Sequence, residues 1–116
     1  MEKTIRSCVE KILDTKYLNP YITHFSEKDM KDQYISNKGS ADEQRSLEGI
    51  IVGVKDNFNL KHSRCTAGSH MLKEYVSPYD ATVIRKLRDL GCVFSGKTNL
   101  DEFAMGTTSQ YSGFDI

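Results

Sequence analysis

Leu47-Glu48-Gly49-Ile50-Ile51-Val52-Gly53-Val54-Lys55-Asp56-Asn57 is an apolar run that ends abruptly in a lysine, an aspartate and an asparagine. Five of the six residues from Ile50 to Lys55 are apolar or glycine, which predicts a buried strand. Lys55 lies where that strand would emerge from the core, so we expect its amine to be partly desolvated. Desolvation favours the neutral amine, which can act as a base. The alternative is that Lys55 only ends the strand and points into water.

Length and charge limit the classes of protein that this chain can belong to. Its 116 residues suffice for about one small domain. The 16 basic and 16 acidic residues balance, so charge gives no direct signal for a nucleic-acid or membrane partner. The longest apolar run is far shorter than the roughly 20 residues of a membrane helix. The N-terminus shows no clear targeting segment, since Glu2 and Glu10 are atypical of an organelle presequence.

The cysteines and histidines give no sign of a disulfide framework or a metal site. Three cysteines, Cys8, Cys65 and Cys92, are widely spaced and odd in number, which favours free thiols in a reducing compartment. The histidines at 24, 62 and 70 lack zinc-like spacing with the cysteines or with each other. We therefore expect neither a metal nor a cofactor in this chain.

The first part of the chain predicts a helix, a strand and a second helix. Apolar residues at helical spacing over 5–13 predict a helix that ends near 16–18, before the Asn19-Pro20 turn. The alternating segment 21–25 predicts a strand with His24 on its polar side. Ser26 and Asp29 have the spacing of a capping box, which would open a weak helix before a polar loop over 36–44. The stripe of the first helix consists of Ile5, Cys8, Val9, Ile12 and Leu13.

The second part predicts a further helix, strand and short helix. Asp80 is placed to cap a helix over 81–90, and Gly91 is placed to end it. A short buried strand over 92–95 should be followed by a turn over 96–99, with Asn99 capping a last helix over 100–105. The buried stripe of the 81–90 helix would consist of Val83, Ile84, Leu87 and Leu90.

Alternating helices and strands predict an α/β layered fold with at least some parallel strands. Three strands are few for such a sheet, since both of its faces must be covered. Residues 1–116 therefore have the pattern of the opening portion of one larger domain, with no internal boundary.

One nucleotide-binding motif matches but has the wrong context. Residues 91–98 fit the P-loop pattern G-x-x-x-x-G-K-[ST], which requires a strand, then a phosphate-cradling loop, then a helix. Here a helix precedes Gly91, and the four residues after it are themselves the best strand candidate nearby. We therefore reject nucleotide binding here.

Five segments together carry a family resemblance: Lys55-Asp56-Asn57, Gly68-Ser69, Asp80-Ala81-Thr82-Val83, Gly96-Lys97-Thr98-Asn99 and Asp101-Glu102-Phe103-Ala104-Met105-Gly106. In order and spacing they resemble the N-terminal part of the amidase signature family, from about Leu47 to the C-terminus. The last two segments are most similar to the amidotransferase branch, whose members supply ammonia from glutamine for the amidation of glutamate on tRNA. Ile51 and Gly53 are mild departures, since the family usually has proline and a small residue such as alanine there.

The resemblance implies a fold, a reaction and site residues. The fold is a mixed sheet flanked by helices, of which this chain would be an incomplete N-terminal part. The reaction is hydrolysis of a carboxamide by a Ser–Ser–Lys triad, in which an unprotonated lysine drives proton transfer and backbone N–H groups stabilise the oxyanion. Lys55 matches the lysine, and Met105, Gly106 and Thr107 match a segment near the substrate pocket. The implied partners are other amidotransferase subunits, with glutamine as amide donor, in a mitochondrion or a cytoplasm.

Neither triad serine can be assigned in this sequence. Both lie in a Gly/Ser-rich segment that the family places beyond the region covered here, and the 116 residues contain no Gly-Ser-Ser-Gly-Gly-Ser run. We therefore expect the chain to end before that segment and to be inactive alone. The alternative is a non-catalytic remnant or a partner-binding fragment, for which exposed apolar sheet edges would favour association.

Overall fold

The computed structural model describes residues 1–38 and 46–115, and the predicted order of helices and strands is confirmed there. α2 continues to residue 38, so the loop predicted over 36–44 is wrong at its start, and its remainder lies outside the described residues. The helices are α1 (Glu2–Asp14), α2 (Glu27–Lys38) and α3 (Thr82–Asp89), the strands are β1 (Tyr21–His24), β2 (Ile51–Lys55) and β3 (Val93–Thr98), and short 3₁₀ turns lie at Lys16–Leu18, His70–Leu72 and Glu102–Ala104.

The three strands form one mixed sheet with β3 in the centre. β2 runs parallel to β3 on one side, and β1 runs antiparallel to it on the other. Since β2 and β3 are parallel, their carboxyl ends meet at one edge of the sheet, where Lys55 pairs with Thr98. The expected α/β fold with parallel strands is therefore confirmed.

Each face of the sheet packs against helices and forms its own core. Val93 packs with Ile5 of α1 and Met30 of α2 on one face. Phe94 packs with Ile84 of α3 and with Val54 of β2 on the other. Neighbouring strand residues point to opposite faces, so β3 contributes to both cores through two consecutive side chains.

The first helix and its neighbours largely follow the sequence pattern. Ile5 and Ile12 are buried, but Leu13, the last residue of the predicted stripe, is 52% exposed. His24 is exposed, as expected for the polar side of β1. The predicted capping box forms, because the backbone N–H of Asp29 donates to Ser26 Oγ at 3.2 Å and the Ser26 N–H donates to Asp29 Oδ2 at 2.9 Å.

The turn predicted over 96–99 is wrong, because β3 continues through Gly96, Lys97 and Thr98. Gly96 lies at a bulge with φ 145°, where a Cβ would come within 2.7 Å of His24 Cα, so glycine is needed for β1 to approach. Lys97 is fully buried within this extension. A glycine followed by a lysine is locally typical of a turn, so the sequence pattern did not indicate a strand here.

Two predicted helix caps are also wrong. Ala81 holds the N-cap position of α3, and the Asp80 carboxylate instead accepts a hydrogen bond from the Lys61 N–H at 2.7 Å. Val83, expected in the α3 stripe, is 44% exposed, whereas Ile84 is buried.

Asn99 does not cap the last helical turn, because its amide nitrogen donates to the Asp115 carbonyl at 2.9 Å and its side-chain oxygen accepts from Ser112 Oγ at 2.6 Å. Gly91 ends α3 as expected, with φ 91°.

Within residues 1–38 and 46–115, none of the helices has the length and apolar character needed to cross a membrane.

Candidate active site

Lys55 is the last residue of β2 and lies at the carboxyl edge of the sheet. Its carbonyl oxygen accepts a hydrogen bond from the Phe58 N–H at 3.0 Å, which turns the chain directly after the strand. Lys55 is exposed, so the expectation that the strand end desolvates its amine is wrong for the residues described. It lines a groove of about 240 Å³ whose other walls are almost wholly apolar and include Phe58 and Val83.

Asp56, the next residue, is completely buried, and its backbone is hydrogen-bonded on both sides. Its N–H donates to the Thr98 carbonyl of β3 at 3.1 Å. Its carbonyl oxygen accepts from the Ala67 N–H at 3.0 Å and from Cys65 Sγ at 3.4 Å. The position of residue 56 is therefore fixed against both β3 and the loop that follows β2.

The Asp56 carboxylate forms a buried ion pair with Lys97. Lys97 Nζ lies 2.6 Å from Asp56 Oδ1 and also donates to the Arg64 carbonyl at 3.0 Å. The other carboxylate oxygen accepts from the Thr66 N–H at 2.9 Å and from the Thr66 hydroxyl. A buried carboxylate and a buried ammonium are tolerated only when paired and hydrogen-bonded in this way.

This pair removes the remaining basis for a P-loop. Residues 93–98, which hold most of the pattern, form a strand of the sheet. Its lysine, Lys97, is fully buried and is held by Asp56 and a backbone carbonyl. The ammonium that a phosphate would need is thus engaged in the core.

The buried pair was missed in the sequence because its members are 41 residues apart. A local signal existed: Lys97 follows the buried run 92–95 closely enough to continue it as a strand. A charged side chain inside a buried strand requires a partner, and Asp56 follows the other predicted strand. Together these features would have pointed to the pair.

Residues 64–69 connect the end of β2 to the C-terminal loop, which is the segment after β3, residues 99–115. The Ala67 N–H donates to the Asp56 carbonyl, and the Ala67 carbonyl accepts from the Phe103 N–H at 2.7 Å. One residue on, the Gly68 carbonyl accepts from the Gly113 N–H at 2.7 Å. Ser69 Oγ donates to Glu102 Oε1 at 2.6 Å. We call residues 64–69 the bridging segment.

Met105, Gly106 and Thr107 lie in an exposed stretch of that C-terminal loop. The loop is shaped by Asp101, whose carboxylate accepts from the backbone N–H groups of Ser109, at 3.0 Å, and Tyr111, at 2.8 Å. A Cβ at Gly106 would come within 2.6 Å of Asp101 Cγ, so this position requires glycine. The path from Lys55 to this stretch runs through Asp56, Ala67 and Phe103.

Cys65 lies in the bridging segment and is a free, buried thiol. Burial raises the pKa of Cys65, although the nearby Lys97 ammonium acts in the opposite direction. A thiol with a raised pKa holds little thiolate at neutral pH, which suits a structural role rather than a nucleophilic one.

The structure has a mixed three-stranded sheet with Lys55 at the carboxyl end of a strand, and comparisons with known proteins identify the class of this fold. A family model described as Amidase matches residues 3–116, so the chain belongs to the amidase family.

Among curated proteins, the chain is 49% identical over 104 residues to the A-subunit of the mitochondrial glutamyl-tRNA(Gln) amidotransferase from Ornithorhynchus anatinus. That alignment covers 88% of this chain and 20% of the relative. The chain thus spans about a fifth of the length of the curated relatives that it matches.

Solved structures give the same result for the fold. The A-subunit of glutamyl-tRNA(Gln) amidotransferase from Thermotoga maritima superposes with a TM-score of 0.77 at 32% identity, covering 97% of this chain and 23% of that one. The S177A allophanate hydrolase of Kluyveromyces lactis gives a TM-score of 0.74 at 30% identity, covering 97% and 19%. The described sheet and helices are therefore part of the amidase-signature fold.

Proposed function

We propose that this chain carries the lysine of a Ser–Ser–Lys amidase, and that Lys55 is its general base. The main support is the position of Lys55, which ends β2 at the carboxyl edge of the sheet and is exposed beside an apolar groove. Ligands of open α/β sheets bind at the carboxyl ends of the strands, so a base at this edge can meet a substrate. Coverage of the groove by further protein would supply the desolvation that the exposed amine lacks here.

The reaction is glutamine hydrolysis through an acyl-enzyme. The neutral amine of Lys55 takes a proton from the second triad serine, which in turn takes one from the nucleophilic serine. The hydroxyl oxygen of the nucleophilic serine then attacks the carboxamide carbon. The proton returns to the leaving nitrogen and ammonia departs. Water then hydrolyses the ester to glutamate and restores the serine. In this proposal both serines belong to a Gly/Ser-rich segment outside these 116 residues, and we expect the separate chain to show no turnover.

The names of the relatives support a proposal for the amide donor, the partner subunits and the compartment. Their assignment to a mitochondrial glutamyl-tRNA(Gln) amidotransferase supports glutamine as amide donor, other amidotransferase subunits as partners, and the mitochondrion as compartment. Met105, Gly106 and Thr107 contact the substrate in this proposal. Their exposed loop is joined to the end of β2 through hydrogen bonds at Ala67.

The first test is to sequence the transcript past the codon for Ile116. We expect the frame to continue into a Gly/Ser-rich segment with two candidate serines. A stop codon directly after Ile116 would favour the non-catalytic alternative and contradict the proposal.

The second test is glutaminase turnover by the product of the extended frame. Lys55→Met should reduce kcat by about 10³-fold or more, because the nucleophile loses its base. Lys86→Met is the matched control: Lys86 is an exposed lysine on α3 and should leave kcat unchanged. Equal activity of the two variants would exclude Lys55 as the base. The separate 116-residue chain should show no turnover.

A further inference from the structure

We propose that the buried Asp56–Lys97 pair is a positioning element that sets the place of Lys55 relative to the C-terminal loop carrying Met105 to Thr107. This inference rests on the proposed function for its catalytic consequence. Its structural part can be tested in the 116-residue chain without any assay of activity.

The buried pair is better explained by positioning than by stability. Both side chains are completely buried, and their ion pair is 2.6 Å long. Replacing a buried ion pair by apolar residues of similar volume is often neutral or stabilising, so such a pair is a poor way to gain stability. Its directional hydrogen bonds do select one arrangement of the elements that carry them.

The hydrogen bonds of the pair connect β3, the end of β2 and the bridging segment. Lys97 belongs to β3, Asp56 directly follows Lys55, and both bind the bridging segment: Lys97 through the Arg64 carbonyl and Asp56 through Thr66. The end of β2, the bridging segment and β3 thus meet at one carboxylate. Loss of that carboxylate would leave the bridging segment held at the end of β2 only by the Asp56 backbone carbonyl, which accepts from the Ala67 N–H and Cys65 Sγ.

The bridging segment is in turn hydrogen-bonded to the C-terminal loop. Ala67 accepts the Phe103 N–H at 2.7 Å, while its own N–H is held by the Asp56 carbonyl at 3.0 Å. Ala67, Phe103 and Ala104 all have positive φ, of 51°, 52° and 59°. Non-glycine residues persist in this conformation only where surrounding contacts hold them. The loop geometry therefore depends on the bridging segment.

The test variant is the double substitution Asp56→Asn/Lys97→Met. Either single substitution leaves a buried charge without a partner, whereas the double one removes both charges at similar volume and is expected to fold. Thr66→Val is the milder second variant, because it removes the hydroxyl that donates to Asp56 and accepts the Gly68 N–H at 3.2 Å, but keeps the bond from the Thr66 N–H to the carboxylate. Asp80→Asn/Arg88→Met is the matched control. It removes the Asp80–Arg88 ion pair, whose N···O distance is 3.2 Å and which makes no hydrogen bond to residues 64–69 among those described.

The structural readout is amide hydrogen exchange in the 116-residue chain. We expect exchange at Ala67 and Phe103 to accelerate by about 10-fold or more in the double variant, and by less in Thr66→Val, while exchange at the sheet amide of Val54 stays unchanged. The control pair should leave Ala67 and Phe103 protected. Unchanged exchange at these two amides in folded Asp56→Asn/Lys97→Met would overturn the proposal; if that variant does not fold, unchanged exchange in Thr66→Val overturns it.

The functional readout is kcat and KM for glutamine in the product of the extended frame. Misplacing a base by about 1 Å costs up to about 10²-fold in rate, so kcat should fall by 10-fold or more in the double variant with KM changed by less than about 3-fold. A kcat equal to that of the wild type, in a protein that Lys55→Met inactivates, would overturn the positioning role. If Lys55→Met retains turnover, the proposed function fails instead, and the exchange experiment still decides whether the pair orders the loop.

Discussion

At the scale of single residues, Asp80 shows how one carboxylate can join two parts of the chain. It accepts the Lys61 N–H at 2.7 Å and two hydrogen bonds from the Arg88 guanidinium at 3.2 Å each. Burial alone would raise the pKa of Asp80, but the Lys61 N–H and the Arg88 guanidinium outweigh it and lower the pKa below its ordinary value. Asp80 thus holds the loop after β2 against α3.

This lowered pKa predicts a pH-dependent contribution to stability. A carboxyl whose folded pKa lies below its unfolded pKa stabilises the fold above the unfolded value, about 3.9, and loses that effect as pH falls through the folded value. Asp80→Asn should therefore cost about 1 kcal/mol at pH 7 and markedly less near pH 3. Urea unfolding at both pH values measures this. Asp14→Asn, an exposed site on α1, is the control, and a cost for Asp80→Asn that did not change with pH would contradict the assignment.

The position of Lys55 could be predicted from sequence, but its surroundings could not. An apolar run that ends in a lysine is a local pattern, and β2 does end at that residue. Whether the Lys55 amine is exposed depends on which other parts of the protein cover the end of β2, and a local sequence pattern does not give that information. The Asp56–Lys97 pair is likewise a long-range feature, since it joins the residue that follows β2 to a residue of β3 that lies 41 positions further along the chain.

At the scale of elements, α2 completes the hydrogen bonding of β3. β1 pairs only with residues 96–98, so the first half of β3 has no strand partner on that side. Gln33 of α2 occupies this place: its Nε2 donates to the Phe94 carbonyl at 3.1 Å, and its Oε1 accepts the Phe94 N–H at 2.9 Å. Asn37 adds a hydrogen bond to the Cys92 carbonyl at 2.7 Å.

This arrangement predicts that Gln33 stabilises the sheet more than its position on a polar helix suggests. Gln33→Leu leaves both backbone groups of the buried Phe94 without these partners, which should cost about 2–3 kcal/mol in the free energy of unfolding. Ser36→Ala, an exposed site on the same helix, should change stability by less than about 0.5 kcal/mol. Denaturant unfolding of both variants provides the measurement. Similar values for the two would show that Gln33 has no such role.

Elements with a clear local period were predictable, and those defined by distant partners were not. α1 follows its apolar stripe, and α2 begins at the capping box of Ser26 and Asp29. The second half of β3 contains a glycine and a lysine, which locally indicate a turn, and only pairing with β1 and β2 makes it a strand. Asp80 precedes α3 as an N-cap would, yet the nearby Lys61 N–H takes its carboxylate.

At the scale of the whole molecule, β3 makes the two cores interdependent. Val93 belongs to the core formed with α1 and α2, and Phe94 belongs to the core formed with α3. Because consecutive residues of one strand support both, neither core can open while β3 keeps its full packing. The described part of the chain should therefore unfold as one cooperative unit.

Cys92 provides a test of this cooperativity, since it is fully buried in the core with α3. Burial raises the pKa of the Cys92 thiol, so alkylation in the native state should be slow and should accelerate when the core opens. We expect the urea midpoint for Cys92 alkylation, mapped by mass spectrometry, to coincide with the midpoint from far-UV circular dichroism, to which α1 and α2 contribute most. Half-buried Cys8, on α1, should already react at lower urea and serves as the reference thiol. Loss of helical signal well before Cys92 becomes reactive would show that the two cores unfold separately, because the face with α1 and α2 would then open while the face with α3 remained closed.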